Sequence, residues 1–303
     1  MKIPKGLQPL VDDGVIDEVV RSLKSGKEAT VYIVSCGADL RCAKVYRDLA
    51  QRSFQRRERY QEGRKARGSR ESRAMGKGSR FGRKQQELEW KNAEVDALYR
   101  LVGAGVRVPK PFGYFNDVLL MELVTDAAGD PAPRLGEVAL PPDTAREYHA
   151  FLMRQIVHML SLGLIHGDLS EFNVLLSPEG PVIIDLPQVV NAAGNNAAFA
   201  MLERDANNIR STLGRFAPEL RETEYAREMW AVYEQGELRT DSPLTGHFRR
   251  DEAPADAGSG SAHRTSASAI RRRRSRPVNP RRRERKSANA RNTRGGTAAR
   301  VPP

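Results

Sequence analysis

Cysteine is nearly missing from this chain: Cys36 and Cys42 are the only two in 303 residues. Two thiols cannot build a disulfide framework, so a reducing compartment is expected. Long apolar runs are missing too, and nothing approaches the roughly 18 uncharged apolar residues of a membrane span. The opening MKIPKGLQPLVDDGVIDEVV carries acids where a secretory signal would place its apolar core. These absences together predict a soluble, cytoplasmic protein without membrane contact.

Positive charge is abundant overall, at a formal +12, yet it is scarce wherever the sequence could fold. Residues 47–84 and residues 251–303 each hold 14 Lys or Arg against 4 Asp or Glu. The remaining chain carries 22 basic and 30 acidic residues, about −8. Both basic segments are poor in apolar side chains and are expected to be disordered, one as an internal insertion over about 47–83 and the other as a C-terminal tail. Their charge suits contact with RNA, a ribosomal particle or another polyanion without sequence readout, or serves only as solubilising disorder.

Between them the pattern predicts an α+β chain. Short β-branched runs in VIDEVV, ATVYIVS and LRCAKVY form an antiparallel meander. QQELEWKNAEVDALYRLVGAG reads as an amphipathic helix that stops at glycines. Two more strands, PFGYF and DVLLMELV, precede a polar Gly/Pro-rich connector over 125–142. Helices are then expected over about 143–162, 197–215 and 218–234, with two short apolar strands, VLL and PVIID, between the first two. Domain boundaries follow: a folded unit over about 1–250, with a small lobe to about 124 and a larger lobe beyond it, and the tail over 251–303.

The strongest chemical signal is His166-Gly167-Asp168-Leu169-Ser170-Glu171-Phe172-Asn173, followed by Asp185 at the end of an apolar strand. Phosphoryl transfer needs a carboxylate to take the proton of the attacking hydroxyl, which suits Asp168. It also needs oxygen ligands for magnesium bridging the phosphates, which suits Asn173 and Asp185. Each residue alone reads as well as a turn or a strand terminus. Their joint spacing matches the kinase H-x-D-x-x-x-x-N pattern with its downstream metal aspartate.

An N-terminal turn, SGKEATVY, offers Ser25, Gly26 and Lys27 to phosphates, although it has one glycine where the usual G-x-G-x-x-G loop has three. Lys44, in CAKVY, resembles the strand lysine that reaches the α and β phosphates. Glu94 is its expected helix partner, with Glu87 and Glu89 as competitors. Glu122 and Leu123 end the last small-lobe strand, where kinases hold adenine through the backbone. His149 and His158, within the helix before the loop, read as packing or surface residues. Arg204, Asp205 and Asn208 read as structural.

Taken in order, SGKEATVY, CAKVY, WKNAEVDALYRL with VPKP, HGDLSEFNVLL and IIDLPQ resemble the RIO kinase family of atypical serine/threonine protein kinases, most closely its RIO1 branch, over about 15–215. The resemblance implies a two-lobed protein-kinase-like fold: a small antiparallel β lobe with one helix, then a mainly helical lobe. It implies ATP with magnesium, manganese being an alternative metal, and serine phosphorylation including autophosphorylation. A link to ribosome maturation and an ATPase-like cycle through a phosphorylated Asp185 also follow from the resemblance.

The sequence departs from ordinary protein kinases in two places. Gly167 replaces the arginine that answers a phosphorylated activation loop, and Asp185 is followed by Leu-Pro-Gln with little room for a peptide-docking segment. Ala217-Pro218-Glu219 spells the A-P-E triplet but reads as chance, with Pro218 opening the next helix. Aminoglycoside or choline-type phosphotransferases share H-G-D-L-x-x-x-N, and SGKEATVY with the Lys–Glu pair favours the RIO reading over them. A nucleotide-responsive RNA- or ribosome-binding protein is the non-enzymatic alternative.

Overall fold

The computed structural model describes residues 3–26, 28–47 and 94–248, all within one unit spanning Met1–Arg250. Lys27, nearly all of the expected basic insertion and the expected tail lie outside the described residues.

The chain begins with a helical turn that the sequence pattern did not announce, α1 (Gln8–Asp12), with Pro9 in its first turn. Three strands follow: β1 (Glu18–Ser25), β2 (Ala29–Cys36) and β3 (Asp39–Tyr46). Val15 and Ile16, expected to open the first strand, instead belong to the turn after α1, where both amides bond to the Leu10 carbonyl. The described part of the next helix, α2, covers 94–103. β4 (Pro111–Phe115) and β5 (Val118–Glu122) complete an antiparallel sheet in the order β1-β2-β3-β5-β4. The β4–β5 turn is two residues long, and Asn116 and Asp117 both have positive φ, the signature of a type I′ hairpin.

Strand alternation splits this sheet into two faces. Val34, Ala43, Val118 and Leu120 pack outward with Leu10 of α1 and Leu7 just before it. Tyr46 and Leu119 point the other way and join Val95, Leu98 and Leu101 of α2 in the large core that continues into the helical lobe.

The second lobe opens with α3 (Pro142–Ser161), whose Pro142 sits at the first helical position. Its stripe of Ala145, Leu152, Met153, Ile156, Val157 and Leu160 is buried, and the helix stops at Gly163, with φ 71. β6 (Leu164–Ile165), β7 (Val174–Ser177), β8 (Gly180–Ile183) and β9 (Val190–Asn191) follow, then α4 (Ala198–Leu213). The helix expected over 218–234 is two pieces: a 3-10 turn at Pro218–Glu222 and α5 (Tyr225–Glu234). The break falls at Thr223, whose extended backbone lets its carbonyl accept a hydrogen bond from Arg210 while its hydroxyl donates to the Leu220 carbonyl. Pro218 thus opens a 3-10 turn instead of an α-helix.

Candidate functional site

Two hairpin-like constraints build the loop that carries the motif. At its start, β6 pairs with β9 through Leu164↔Asn191 and Ile165↔Val190. At its end, β7 pairs with β8 through Val174↔Ile183, so the next residues out are Asn173 and Ile184, and the Ile184 amide donates to the Asn173 carbonyl at 2.9 Å. Asp185 is therefore delivered beside Asn173 by strand register. It leaves the strand in a left-handed conformation, φ 67, which a short polar side chain tolerates better than most, and its carboxylate is half exposed.

The loop between is fixed from beneath. Asp205 of α4 accepts the Gly167 amide at 2.7 Å and the Leu169 amide at 3.0 Å. Asn208 donates to the Leu169 carbonyl at 2.8 Å, and Arg204 donates to the Gly167 carbonyl. Burial pushes the Asp205 carboxyl up to about 6, opposed by His166, the two loop amides and Arg204. His166 contacts the Ile184 carbonyl through Nε2 at 3.1 Å and the Asp168 amide through Nδ1 at 3.3 Å. A carbonyl only accepts, so Nε2 carries a proton in this contact. The half-buried Asp168 carboxylate accepts from the Gln188 amide at 3.4 Å.

Across the cleft, Lys44 and Glu94 are both almost buried, and the Lys44 ammonium donates to Glu94 Oε1 at 2.5 Å. The same ammonium reaches Asp185 Oδ1 at 3.3 Å, and the Tyr46 hydroxyl donates to Glu94 Oε2 at 2.7 Å. Burial alone would lower the Lys44 pKa, but the Glu94 and Asp185 carboxylates outweigh it and hold the group above its ordinary value. Burial and then the Glu94 charge raise the Tyr46 phenol, so it stays a donor. Cys42, buried beside Lys44 in β3, is pushed up to about 12 and is not a nucleophile.

The structure thus brings Lys44, Glu94 and Asp185 into direct contact, with Asp168 and Asn173 on the loop that the β7–β8 hairpin ties to Asp185. Gly26 lies in the β1–β2 turn, its amide bonded to the Ala29 carbonyl at 2.9 Å. Ser25 is placed differently from expectation. Its register partner is Thr30, which pairs with Val45, so its hydroxyl lies on the sheet face opposite Lys44 and accepts from Arg47 at 2.6 Å. Glu122 ends β5 with its carboxylate turned to the Arg107 guanidinium at 3.1 Å and to the Lys110 amide at 2.9 Å. Leu123 follows it, half-buried.

Sequence reading gave no role to Tyr46 or Gln188, and Arg204, Asp205 and Asn208 prove to be the loop's supports. The spacing of the last three, on one side of a helix after the motif, was the only available signal.

The donor chemistry fits a hard divalent cation. The Asn173 amide nitrogen donates to the Asp168 carbonyl at 2.9 Å, which leaves its oxygen for a metal beside the accessible Asp185 carboxylate. No cluster of three or more His, Cys, Asp or Glu occurs among the described residues. No helix among them is long and apolar enough to cross a membrane.

Comparison with known proteins identifies the family. The family described as "RIO domain" matches residues 30–226. A RIO-type serine/threonine-protein kinase Rio1 of Haloferax volcanii is 38% identical over 202 residues, covering 66% of this chain and 64% of that protein. Serine/threonine-protein kinase RIO1 of Chaetomium thermophilum is 30% identical over 220 residues, 68% of this chain and 41% of its own. The human serine/threonine-protein kinase RIO1 is 30% identical over 198 residues, 65% of this chain and 33% of its own. The chain therefore spans less than two thirds of these relatives, and on the matched stretch it belongs to the RIO domain family, on its RIO1-like side.

Proposed function

We propose that this chain is an ATP-dependent atypical protein kinase that transfers the terminal phosphoryl group of ATP to a serine hydroxyl, its own included. The observation that carries the reading is the Lys44 ammonium held between Glu94 at 2.5 Å and Asp185 at 3.3 Å, a cation fixed where the inner phosphates of a nucleotide would lie. Adenine would rest against the backbone at Glu122 and Leu123, and the turn at Ser25, Gly26 and Lys27 would cover the phosphates. Asp168 would accept the proton as the serine oxygen bonds to phosphorus and the bond to the β-phosphate oxygen breaks. Asn173 and Asp185 would hold magnesium, or manganese, which neutralises charge on the leaving diphosphate. The half-exposed Asp185 could itself accept the phosphoryl group, giving an ATPase cycle through an aspartyl-phosphate.

The domain boundary near 250, a cytoplasmic location and polyanion contact through residues 47–83 and 251–303, with RNA or a ribosomal particle as the candidate, belong to the same proposal. They rest on composition and charge. A small-molecule phosphotransferase would share the loop, but the match to RIO domains favours a protein substrate. The test is release of ADP and phosphate incorporation by wild type and Asp168→Ala. A loss of roughly 10² to 10⁴ fold is expected, the usual scale for a positioned base. Equal rates in the two proteins would overturn the assignment.

A further inference from the structure

Sheet register carries a cation that no motif marks. Lys24 is paired with Val31, and Val31 with Lys44, and residues directly opposed on neighbouring strands share a face. Because Lys44 points at Glu94 and Asp185, the exposed Lys24 projects from the same cleft-facing side, two strands further out, or about 10 Å between backbones. Its neighbour Ser25 lies on the opposite face with Arg47. The side chain that this end of β1 offers to the cleft is thus the lysine and not the serine.

The strand order β1-β2-β3-β5-β4 adds a direction. Glu122 and Leu123, at the end of β5, mark the adenine end in the functional reading. From β5 to β3 to β2 to β1 the row moves steadily away from that end, so Lys44 comes first and Lys24 last. The charges felt by Lys24 lie across the cleft: lost solvation and Arg134 lower its pKa, while Asp185 and Glu137 oppose them. Asp185 is the aspartate next to which the transferred group must lie.

We infer that Lys24 is a second phosphate-binding cation, contacting the terminal phosphoryl group of ATP while Lys44 takes the inner phosphates; this rests on the nucleotide-cleft reading above. Lys24 is exposed, so its replacement leaves the fold intact, and an unchanged melting temperature verifies that.

The experiment is equilibrium binding of the magnesium complexes of β,γ-imido-ATP and ADP to full-length wild type, Lys24→Met and Lys24→Arg. Lys24→Met should weaken the triphosphate analogue by roughly 10-fold or more, the size of one charged hydrogen bond, and leave ADP within about twofold. Lys24→Arg should retain most of the analogue affinity. Unchanged analogue affinity in Lys24→Met, or equal loss for both nucleotides, would overturn the assignment while leaving the kinase reading in place. Failure of the wild type to bind either nucleotide would remove both together.

Discussion

The Lys44–Glu94 contact gives the sharpest thermodynamic test of the cleft. Both groups are nearly buried, at 9% and 4% exposure, so neither can be rescued by water when its partner is removed. Among the described residues, Lys44→Met leaves the Glu94 carboxylate with only the Tyr46 hydroxyl at 2.7 Å, and Glu94→Gln leaves the ammonium with only the half-exposed Asp185 at 3.3 Å as a carboxylate partner. Removing one member of a buried pair typically costs about 3–5 kcal/mol, which for a folded unit of this size lowers the melting temperature by roughly 6–20 °C. The double variant Lys44→Met/Glu94→Gln has no stranded charge, and the Gln keeps an acceptor for Tyr46. It should therefore be no less stable than either single variant, a coupling of about 3 kcal/mol or more. Urea denaturation of the four proteins measures the cycle. Additivity to within about 0.5 kcal/mol would show that the two groups do not meet in solution, and the cleft geometry would fall with it.

Two further predictions concern the helical lobe. His149 is buried, packs at a tilt against the Tyr225 ring with centroids 5.5 Å apart and has no partner for Nε2 among the described residues; burial, then Arg210, lowers its pKa to about 4. Because the unfolded chain takes the proton first, this group should erode stability as pH falls from about 6.5 to 4, by up to roughly 3 kcal/mol. His149→Phe should reduce that loss, and parallel stability–pH curves for variant and wild type would refute the account. Asp205 titrates the other way: burial pushes its folded pKa up to about 6, above the ordinary carboxylate value of about 4, so its ionisation opposes folding as pH rises through that window. Asp205→Asn should therefore steepen the acid-side loss. It should also lower phosphoryl transfer, since Gly167 and Leu169 would compete for one acceptor oxygen, leaving a buried donor unmet at about 1–3 kcal/mol. An Asn variant with wild-type turnover would remove Asp205 from the support of the loop.

Much of the site was legible because its parts are local. Asp168 and Asn173 are five residues apart on one loop, and Asp185 ends a hydrophobic run whose partner strand begins next to Asn173. Lys44 and Glu94 could be paired because a strand with Lys among small and β-branched residues precedes a helix whose apolar stripe brackets the glutamate. What escaped the sequence depends on contacts between distant segments. Asp205, read only as structural, meets the loop from 38 residues away, and its place on the apolar stripe of its helix marks burial without naming the two amides it accepts. The face of Lys24 was hidden because β1 is mostly exposed and has two register irregularities, so hydrophobic alternation does not mark its sides. The 3-10 break at Thr223 comes from side-chain bonds that compete locally with the helix, which periodicity over 218–234 does not register.

The β7–β8 hairpin works as a caliper whose jaws are Asn173 and Asp185. Their separation depends on which residues sit opposite one another and not on how long the arms are. Matched additions to both strands would keep the jaws aligned, whereas one extra residue in a single arm would turn Asp185 to the far side of the ribbon. The tip at Pro178 and Glu179 is thus free to vary among descendants of this sequence, while the parity of the two arms is not.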